Sequence, residues 1–261
     1  MDGTELWGTF GEHLARLYGS APRVYARREE AWFCVLTYES HTDVNIGVLT
    51  AIAQRADADE LLALIEEADV AAVVAVSAAA AATLADPLLA AGLEAAPLTE
   101  ALMWCPVRPP PTRAGFRVER VRGQSDLEDA IEVSAEGHAM DASVAARVFS
   151  RSVSDEEPVG TWLAYDGDEP VSVVWLTLGS RIGIWQMMTP PRHRRRGAAR
   201  AVLTCALAEV WQPSTVGAFL WATPAGRPLY DTLGFQAIDE ATVWVSDGTE
   251  AGNLAIGKPA A

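Results

Sequence analysis

The composition describes a folded, acidic protein. The chain has 261 residues, half of them hydrophobic, and a formal net charge of −15, so it has ample material for a buried core. Binding to nucleic-acid phosphates requires clustered cations, and spanning a bilayer requires about 20 apolar residues in a row. The sequence therefore predicts neither a nucleic-acid nor a membrane partner. Its first residues lack the basic-then-apolar order of a secretion signal, which favours a cytoplasmic location.

A proline-rich stretch suggests where the chain divides. Residues 106–111 contain four prolines, which cannot continue a helix and favour extended chain. We therefore predict two tandem domains, residues 1–111 and residues 112–261. The three cysteines lie far apart in apolar segments and have no metal-ligand spacing, so no metal site is expected.

Hydrophobic periodicity predicts alternating helices and strands in both domains. In the first domain we expect helices over 6–18, 59–68 and 84–91, and strands over 31–38, 44–49, 70–76 and 101–107. In the second we expect strands over 116–121, 161–165, 171–178, 182–188, 216–222 and from 242 onward, with helices over 126–136, 141–150, 197–211 and 227–233. This alternation predicts a layered α/β fold.

The two domains share a weak internal repeat. Residues 45–50 parallel 182–189, residues 70–77 parallel 216–223, and residues 88–93 parallel 230–235. Because these pairs occur in the same order, the first domain reads as a shorter version of the second.

One segment carries a clear chemical signal. The strand over 182–188 leads through Thr189 into five consecutive basic residues, 192–196, and then into Gly197-Ala198-Ala199-Arg200, which open a helix. The first turn of a helix has unpaired N–H groups and a partial positive charge, which neighbouring arginines strengthen. We therefore predict an anion site that suits a pyrophosphate. The P-loop and the dinucleotide-binding fingerprint are both absent from the sequence.

The same residues resemble a known family. Arg194-x-x-Gly197-x-Ala199 is similar to the acyl-CoA signature of the GNAT superfamily of N-acetyltransferases. Downstream, residues 223–235 resemble the second conserved block of that family, in which a Leu-Tyr pair, here ending at Tyr230, precedes Gly-Phe. The resemblance covers roughly residues 115–246.

The resemblance implies a fold, a cofactor and a set of roles. The fold would be a mixed, mostly antiparallel sheet flanked by helices, and the cosubstrate acetyl-CoA. A strand N–H near Met188 would polarise the thioester carbonyl, and Tyr230 would give a proton to the departing thiolate. The residues implied to bind the cofactor are Met187, Met188, Thr189, Arg194, Arg195, Arg196, Gly197, Ala198, Ala199, Arg200 and Thr223.

The sequence also departs from the family pattern. Thr223 stands where an asparagine is frequent, and residues 182–188 hold no glutamate to serve as general base. Glu136, His138 and Asp141 lie near the expected acceptor site, but for any one of them the sequence favours a solvated helix end over a catalytic role. His193 reads as a surface basic residue.

The corresponding parts of the first domain lack the signature. No Arg-Gly turn follows Thr50, and acidic residues, among them Asp57, stand at the start of the next helix, where they would repel a pyrophosphate. Leu88 takes the place of Tyr230. We therefore expect a single cofactor site, with the first domain degenerate or accessory.

These observations lead to one main hypothesis, an N-acetyltransferase that moves an acetyl group from acetyl-CoA to a primary amine by direct attack in a ternary complex. A small-molecule acceptor is favoured over a protein N-terminus or lysine. The alternatives are a transferase that uses another acyl-CoA and an acyl-CoA-binding regulatory protein without turnover. The sequence leaves open whether the protein forms a homodimer.

Overall fold

The computed structural model describes residues 2–19, 21–112, 115–138, 140–149 and 158–246. These residues form two compact units, each assembled from more than one stretch of chain. The first unit contains the described residues up to Met103, then Trp221–Pro228, then those from Gln236 onward. The second contains the described residues of Trp104–Leu220 together with Leu229–Phe235. The predicted division at 111/112 is linear, whereas these units interleave along the chain, and the accessory role of residues 1–111 stays a prediction.

The helices and strands follow one another as the periodicity predicts, with one extra strand near the start. In chain order they are α1 (Gly3–Leu17), β1 (Tyr25–Arg28), β2 (Trp32–Leu36), β3 (Asn45–Leu49), α2 (Arg55–Ala68), β4 (Val73–Ser77), α3 (Ala78–Ala90), β5 (Leu93–Cys105), β6 (Arg117–Arg120), α4 (Gln124–His138), α5 (Ala142–Val148), β7 (Val159–Asp166), β8 (Glu169–Thr177), β9 (Arg181–Met188), α6 (Ala198–Val210), β10 (Gly217–Ala222), α7 (Arg227–Thr232) and β11 (Gln236–Ser246). Short 3₁₀ turns span Thr42–Val44 and Pro191–His193. In the described part of the chain, no helix combines the length and the apolar character needed to cross a membrane.

In the first unit the strands lie in the order β1-β2-β3-β4-β11-β5. Strands β1, β2 and β3 are antiparallel, and β4 runs parallel to β3 after the crossover helix α2. The last strand, β11, pairs antiparallel with β4, with Ala241 opposite Ser77 and Val245 opposite Val73. A buried cluster that includes Trp32, Leu61 and Trp244 packs α2 and α3 on this sheet.

In the second unit the strands lie in the order β10-β9-β8-β7-β6. Strands β6 to β9 are antiparallel neighbours, and β10 runs parallel to β9 after the crossover helix α6. The Trp175 indole N–H donates to Ser134 on α4, and the Trp162 indole N–H donates to Glu209 on α6. Trp162 faces Val174, the residue before Trp175, and successive side chains of a strand point to opposite faces. Helices α4 and α6 therefore cover opposite faces of the sheet.

The two units share a local topology. In each, an antiparallel pair is followed by a crossover helix, a parallel strand and a further helix, as β2-β3-α2-β4-α3 and as β8-β9-α6-β10-α7. The predicted layered fold, with a mixed and mostly antiparallel sheet flanked by helices, is confirmed.

Element boundaries differ most in the alanine-rich part of the first unit. Helix α3 begins at Ala78 rather than at residue 84, because a run of alanines has the highest intrinsic helix propensity. Strand β1, which the sequence analysis missed, has only four residues with two arginines among them and offers little hydrophobic pattern.

Candidate active site

Strand β9 has an open edge over its second half. Its parallel ladder with β10 pairs Arg181 with Gly217 and ends where Gly183 faces Phe219. Strand β9 then continues to Met188. Backbone N–H and C=O groups on this edge are consequently available to a linear ligand that pairs like a strand.

The same half of β9 contains a bulge. Trp185 lies opposite Trp175, but Met188 lies opposite Val173, so β9 has one residue more than β8 between these pairs. Within the bulge Gln186 has a φ of 47°, a left-handed conformation that is rare for a residue other than glycine. A bulge leaves its extra residue outside the ladder and bends the strand. The bend therefore occurs beside Met187 and Met188, the residues implied to hold the acyl end of the cofactor.

Contacts from both sides hold the end of β9 in place. The Ser172 hydroxyl on β8 donates to the Met188 carbonyl at 2.8 Å and lies 2.8 Å from the Thr189 hydroxyl. On α4, a Cβ added to Gly137 would lie 2.7 Å from the Met188 sulfur. Because only glycine permits this close approach, Gly137 lets α4 pack directly on the end of the strand.

After β9 the chain turns through a short basic loop into α6. Arg195 has a φ of 64° and Gly197 a φ of 93°. Gly197 is the N-cap residue of α6 and provides no side-chain cap, and the Ala201 N–H is the one that donates to the Gly197 carbonyl. The N–H groups at the start of α6 therefore lack the side-chain acceptor that usually covers them. The partial positive charge at this end adds to their affinity for an anion.

Four arginines of this region are anchored by polar contacts. The Arg194 Nε donates to the Thr189 carbonyl at 3.0 Å, and an Arg196 Nη donates to Asp166 at 2.5 Å. Arg192 pairs with Glu136, and Arg200 donates to the Thr232 hydroxyl. Arg194, Arg195 and Arg196 are exposed. Since a guanidinium has five N–H donors, each anchored arginine keeps donors for a phosphate.

The position of His193 corrects the sequence interpretation. Its side chain is buried rather than on the surface, with 7% exposure, because the 3₁₀ turn Pro191–His193 folds it inward. The His193 Nε2 lies 3.1 Å from a Glu169 carboxylate oxygen, and the Arg192 Nε lies 3.7 Å from the same oxygen. The buried His193 side chain thus helps to hold the basic loop between β9 and α6 in place.

Tyr230 lies in α7 with 7% exposure. Its ring packs edge-to-face on Phe235 with centroids 5.9 Å apart. Burial raises the pKa of the Tyr230 phenol above its usual value, so the group is a neutral proton donor at pH 7. Among the described residues none hydrogen-bonds to its hydroxyl. The contact from Arg200 to Thr232 joins the first turn of α6 to the helix that carries Tyr230.

Other predicted residues have local structural contacts. The Thr223 hydroxyl accepts from the Gly226 N–H in the turn before α7, and Thr223 belongs to the first unit. The Asp141 carboxylate caps α5 through Ser143, and these hydrogen bonds lower the pKa of Asp141. Glu136 is exposed and ion-paired, and His138 is the last residue of α4. These contacts weigh against Asp141 and Glu136 as general bases.

In the equivalent loop of the first unit, a side chain of the loop itself forms a hydrogen bond at the start of the helix. Between β3 and α2, the Asp57 carboxylate accepts a hydrogen bond from the Gln54 N–H at 2.8 Å. Leu88, at the place of Tyr230, is fully buried in the hydrophobic cluster. The start of α2 thus has a carboxylate where the start of α6 has glycine and arginines.

Three residues of this region carry no signal in the sequence. They are Ser172, Gly137 and Gln186. The first two are recognisable only once β8, α4 and β9 are placed together. A positive φ at Gln186 has no sequence signal, because positive φ is expected at glycine and asparagine.

Comparisons with known proteins agree with this geometry. Residues 129–249 match the model of the Acetyltransferase (GNAT) domain family. No curated protein matches the chain. A GCN5-related N-acetyltransferase from Kribbella flavida is similar in structure, with a TM-score of 0.65 and 18% identity over 95% of this chain and 98% of that one.

Two further solved structures are similar. A GCN5-related N-acetyltransferase from Sphaerobacter thermophilus has a TM-score of 0.60 and 12% identity over 83% of this chain and 76% of that one. A GCN5-related N-acetyltransferase-like protein from Streptococcus suis has a TM-score of 0.55 and 15% identity over 90% and 97%. At such identities the likeness shows the fold, and the family model adds the assignment. Residues 129–249 of this chain are therefore a GNAT acetyltransferase domain.

Proposed function

We propose that this protein is an acetyl-CoA-dependent N-acetyltransferase that acetylates the primary amine of a small molecule. The observation that carries the proposal is the uncapped start of α6, flanked by exposed arginines, at the end of a bulged strand with an open edge. Each part suits a different portion of acyl-CoA.

The short basic loop between β9 and α6 suits the pyrophosphate of the cofactor. The N–H groups of residues 195–200 and the guanidinium groups of Arg194, Arg195 and Arg196 would bind its oxygens, and Gly197, Ala198 and Ala199 are small enough to let it approach the backbone. The contact that the resemblance implies for Thr223 stays a sequence-based prediction, because Thr223 belongs to the first unit. Arg200 would bind the pyrophosphate at the start of α6, while its hydrogen bond to Thr232 holds α7 in place.

The open edge of β9 suits the pantetheine arm. Its amides would pair with backbone groups of Met187, Met188 and Thr189 beyond the last β9–β10 pair. An N–H near Met188, freed by the bulge, would donate to the thioester carbonyl and stabilise the oxyanion that develops there.

The reaction would then need one proton donor and one proton acceptor. The amine nitrogen forms a bond to the acyl carbon as the carbon–sulfur bond breaks, and the Tyr230 hydroxyl supplies a proton to the departing sulfur. This role requires a protonated phenol at pH 7, which the direction of the Tyr230 pKa shift provides. Strand β9 has no carboxylate, so the proton of the amine leaves to water or to a base on another element.

The charge of the protein supports a cationic acceptor. A net charge of −15 attracts ammonium groups and raises their local concentration. We propose a cytoplasmic protein whose partners are acetyl-CoA and a small amine.

Thiol release with acetyl-CoA and a panel of amines tests the proposal. The panel contains amino sugars, free amino acids and short peptides with a lysine or a free N-terminus. We expect thiol release with at least one small amine and a large loss of rate in Tyr230→Phe. Comparison of acetyl-CoA with longer acyl-CoA esters defines the acyl group.

One observation favours a second candidate, an acyl-CoA-binding protein without turnover, namely the absence of a carboxylate from β9. Tight acetyl-CoA binding with no thiol release on any amine, and no effect of Tyr230→Phe, would establish that candidate instead.

A further inference from the structure

Gln186 combines two unfavourable features at one position. Its φ of 47° places a non-glycine residue in the left-handed region. Its side-chain Oε1 is buried, and no described residue donates a hydrogen bond to it. A buried acceptor without a donor loses its hydration without replacement, and backbone strain of this kind concentrates at functional sites.

A structural amide in the same protein looks different. Asn45 at the start of β3 is fully buried. Its Oδ1 accepts from the Thr37 and Tyr38 N–H groups at 2.9 and 3.2 Å, and its Nδ2 donates to the carbonyls of Glu39 and Ala71 at 2.9 and 3.0 Å. This fold therefore satisfies both ends of an amide that it uses for support, whereas the Gln186 oxygen has no such network.

The neighbours of Gln186 place this residue at the proposed site. Trp185, the residue before it, is fixed by a 2.7 Å hydrogen bond to the Thr177 hydroxyl and by an edge-to-face contact with Phe219. Met187 and Met188 follow it on the open edge. Gln186 thus lies at the bulge, between the last β9–β10 pair and the segment proposed to hold the acyl end of the cofactor.

We propose that the Gln186 side-chain oxygen accepts a hydrogen bond from an N–H group of a bound substrate. Both substrates of the proposed reaction carry this donor, acetyl-CoA in the amides of its pantetheine arm and the acceptor in its amine. The inference rests on the proposed function and adds a substrate-binding residue to it. Binding completes a hydrogen bond that the free protein leaves unmade, so the side chain serves binding at a cost in stability.

Two substitutions in the full-length chain distinguish a substrate-binding role of Gln186 from a structural role. Gln186→Met keeps an unbranched side chain of similar length without an acceptor, and Gln186→Glu keeps an acceptor oxygen. We expect Gln186→Met to raise either the acetyl-CoA dissociation constant, measured by calorimetry, or the KM of the amine by about tenfold, the effect of one hydrogen bond. The constant that changes identifies the donor. We expect the Tm of the ligand-free Met variant to equal or exceed that of the wild type, and Gln186→Glu to bind more tightly than Gln186→Met.

The proposal is overturned if Gln186→Met leaves both constants unchanged, if it lowers Tm, or if the Glu variant is as weak as the Met variant. If the wild type acetylates no amine of the panel, the proposed function fails separately. Gln186 is then judged by the acetyl-CoA dissociation constant and Tm alone, and an unchanged dissociation constant in Gln186→Met overturns the inference.

Discussion

The start of α6 offers the sharpest test of the cofactor site. Gly197 is its N-cap residue, with a φ of 93° and no side-chain cap. In Gly197→Asp a carboxylate would accept hydrogen bonds from the N–H groups that we assign to the pyrophosphate. An aspartate N-cap stabilises a helix by about 1 kcal/mol, and a left-handed conformation costs a non-glycine residue about as much. These effects offset each other, so we expect the variant to stay folded.

The effect on binding follows from Coulomb's law. Two like unit charges about 5 Å apart, at an effective dielectric of about 20, repel by about 3 kcal/mol. That corresponds to a loss of affinity of about a hundredfold, before the loss of the N–H donors is counted. Gly197→Asn is the matched control, because asparagine has the same shape, tolerates positive φ and adds no charge.

Isothermal titration calorimetry with acetyl-CoA, with Tm measured alongside, checks this prediction. We expect Gly197→Asp to lose at least about a hundredfold in affinity and Gly197→Asn to lose much less, with both Tm values within a few degrees of the wild type. Equal affinity in Gly197→Asp and the wild type would refute the assignment of the turn. Equal loss in both variants would show that space, rather than charge, governs the position.

Three further predictions concern residues outside the basic loop between β9 and α6. Tyr230→Phe should lower kcat by about a hundredfold, typical of a lost general acid, with an unchanged acetyl-CoA dissociation constant; equal changes in both would indicate a structural tyrosine. Gly137→Ala should lower Tm and raise KM, because the new Cβ would meet the Met188 sulfur at 2.7 Å and overpacking costs about 1–3 kcal/mol; an unchanged Tm would contradict the close approach. Glu100, 9% exposed, has a pKa raised to about 7 by burial and, secondarily, by Asp43. Its raised pKa favours the neutral form in the fold, so stability is lost as pH rises from about 4.5 through about 7. Glu100→Gln should have the same Tm as the wild type at pH 4 and a higher Tm at pH 8, where its free energy of unfolding should be larger by on the order of 3 kcal/mol. Equal Tm values at pH 8 would refute the buried charge.

Periodicity predicted most elements of the fold because the strands of the core are strongly apolar. Strands β3, β4 and β9 begin within three residues of their expected positions. The pairing of β11 with β4 could not be predicted, since it joins residues far apart in sequence and has no local signal. The compact units consequently follow strand pairing rather than the proline-rich stretch.

The site was predictable where its chemistry depends on residue type and not where it depends on conformation. The glycine, the alanines and the arginines of 194–200 are visible in the sequence, and the structure places them at an uncapped helix start. The sequence gives no sign of the burial of His193 or the left-handed Gln186, because both result from how the chain packs around the turn and the bulge.

The comparison between the two units shows why the same topology supports one proposed site and not two. Both have a crossover helix that follows a central strand after a short loop, and both helices present N–H groups and a partial positive charge at their start. In α2 a carboxylate, Asp57, already stands at that start and bonds to the Gln54 N–H, which disfavours a second anion. In α6 glycine leaves the N–H groups open, and arginines from 194 to 196 add charge. The fold supplies the helix terminus in both cases, and the side chains around it decide whether an anion is bound.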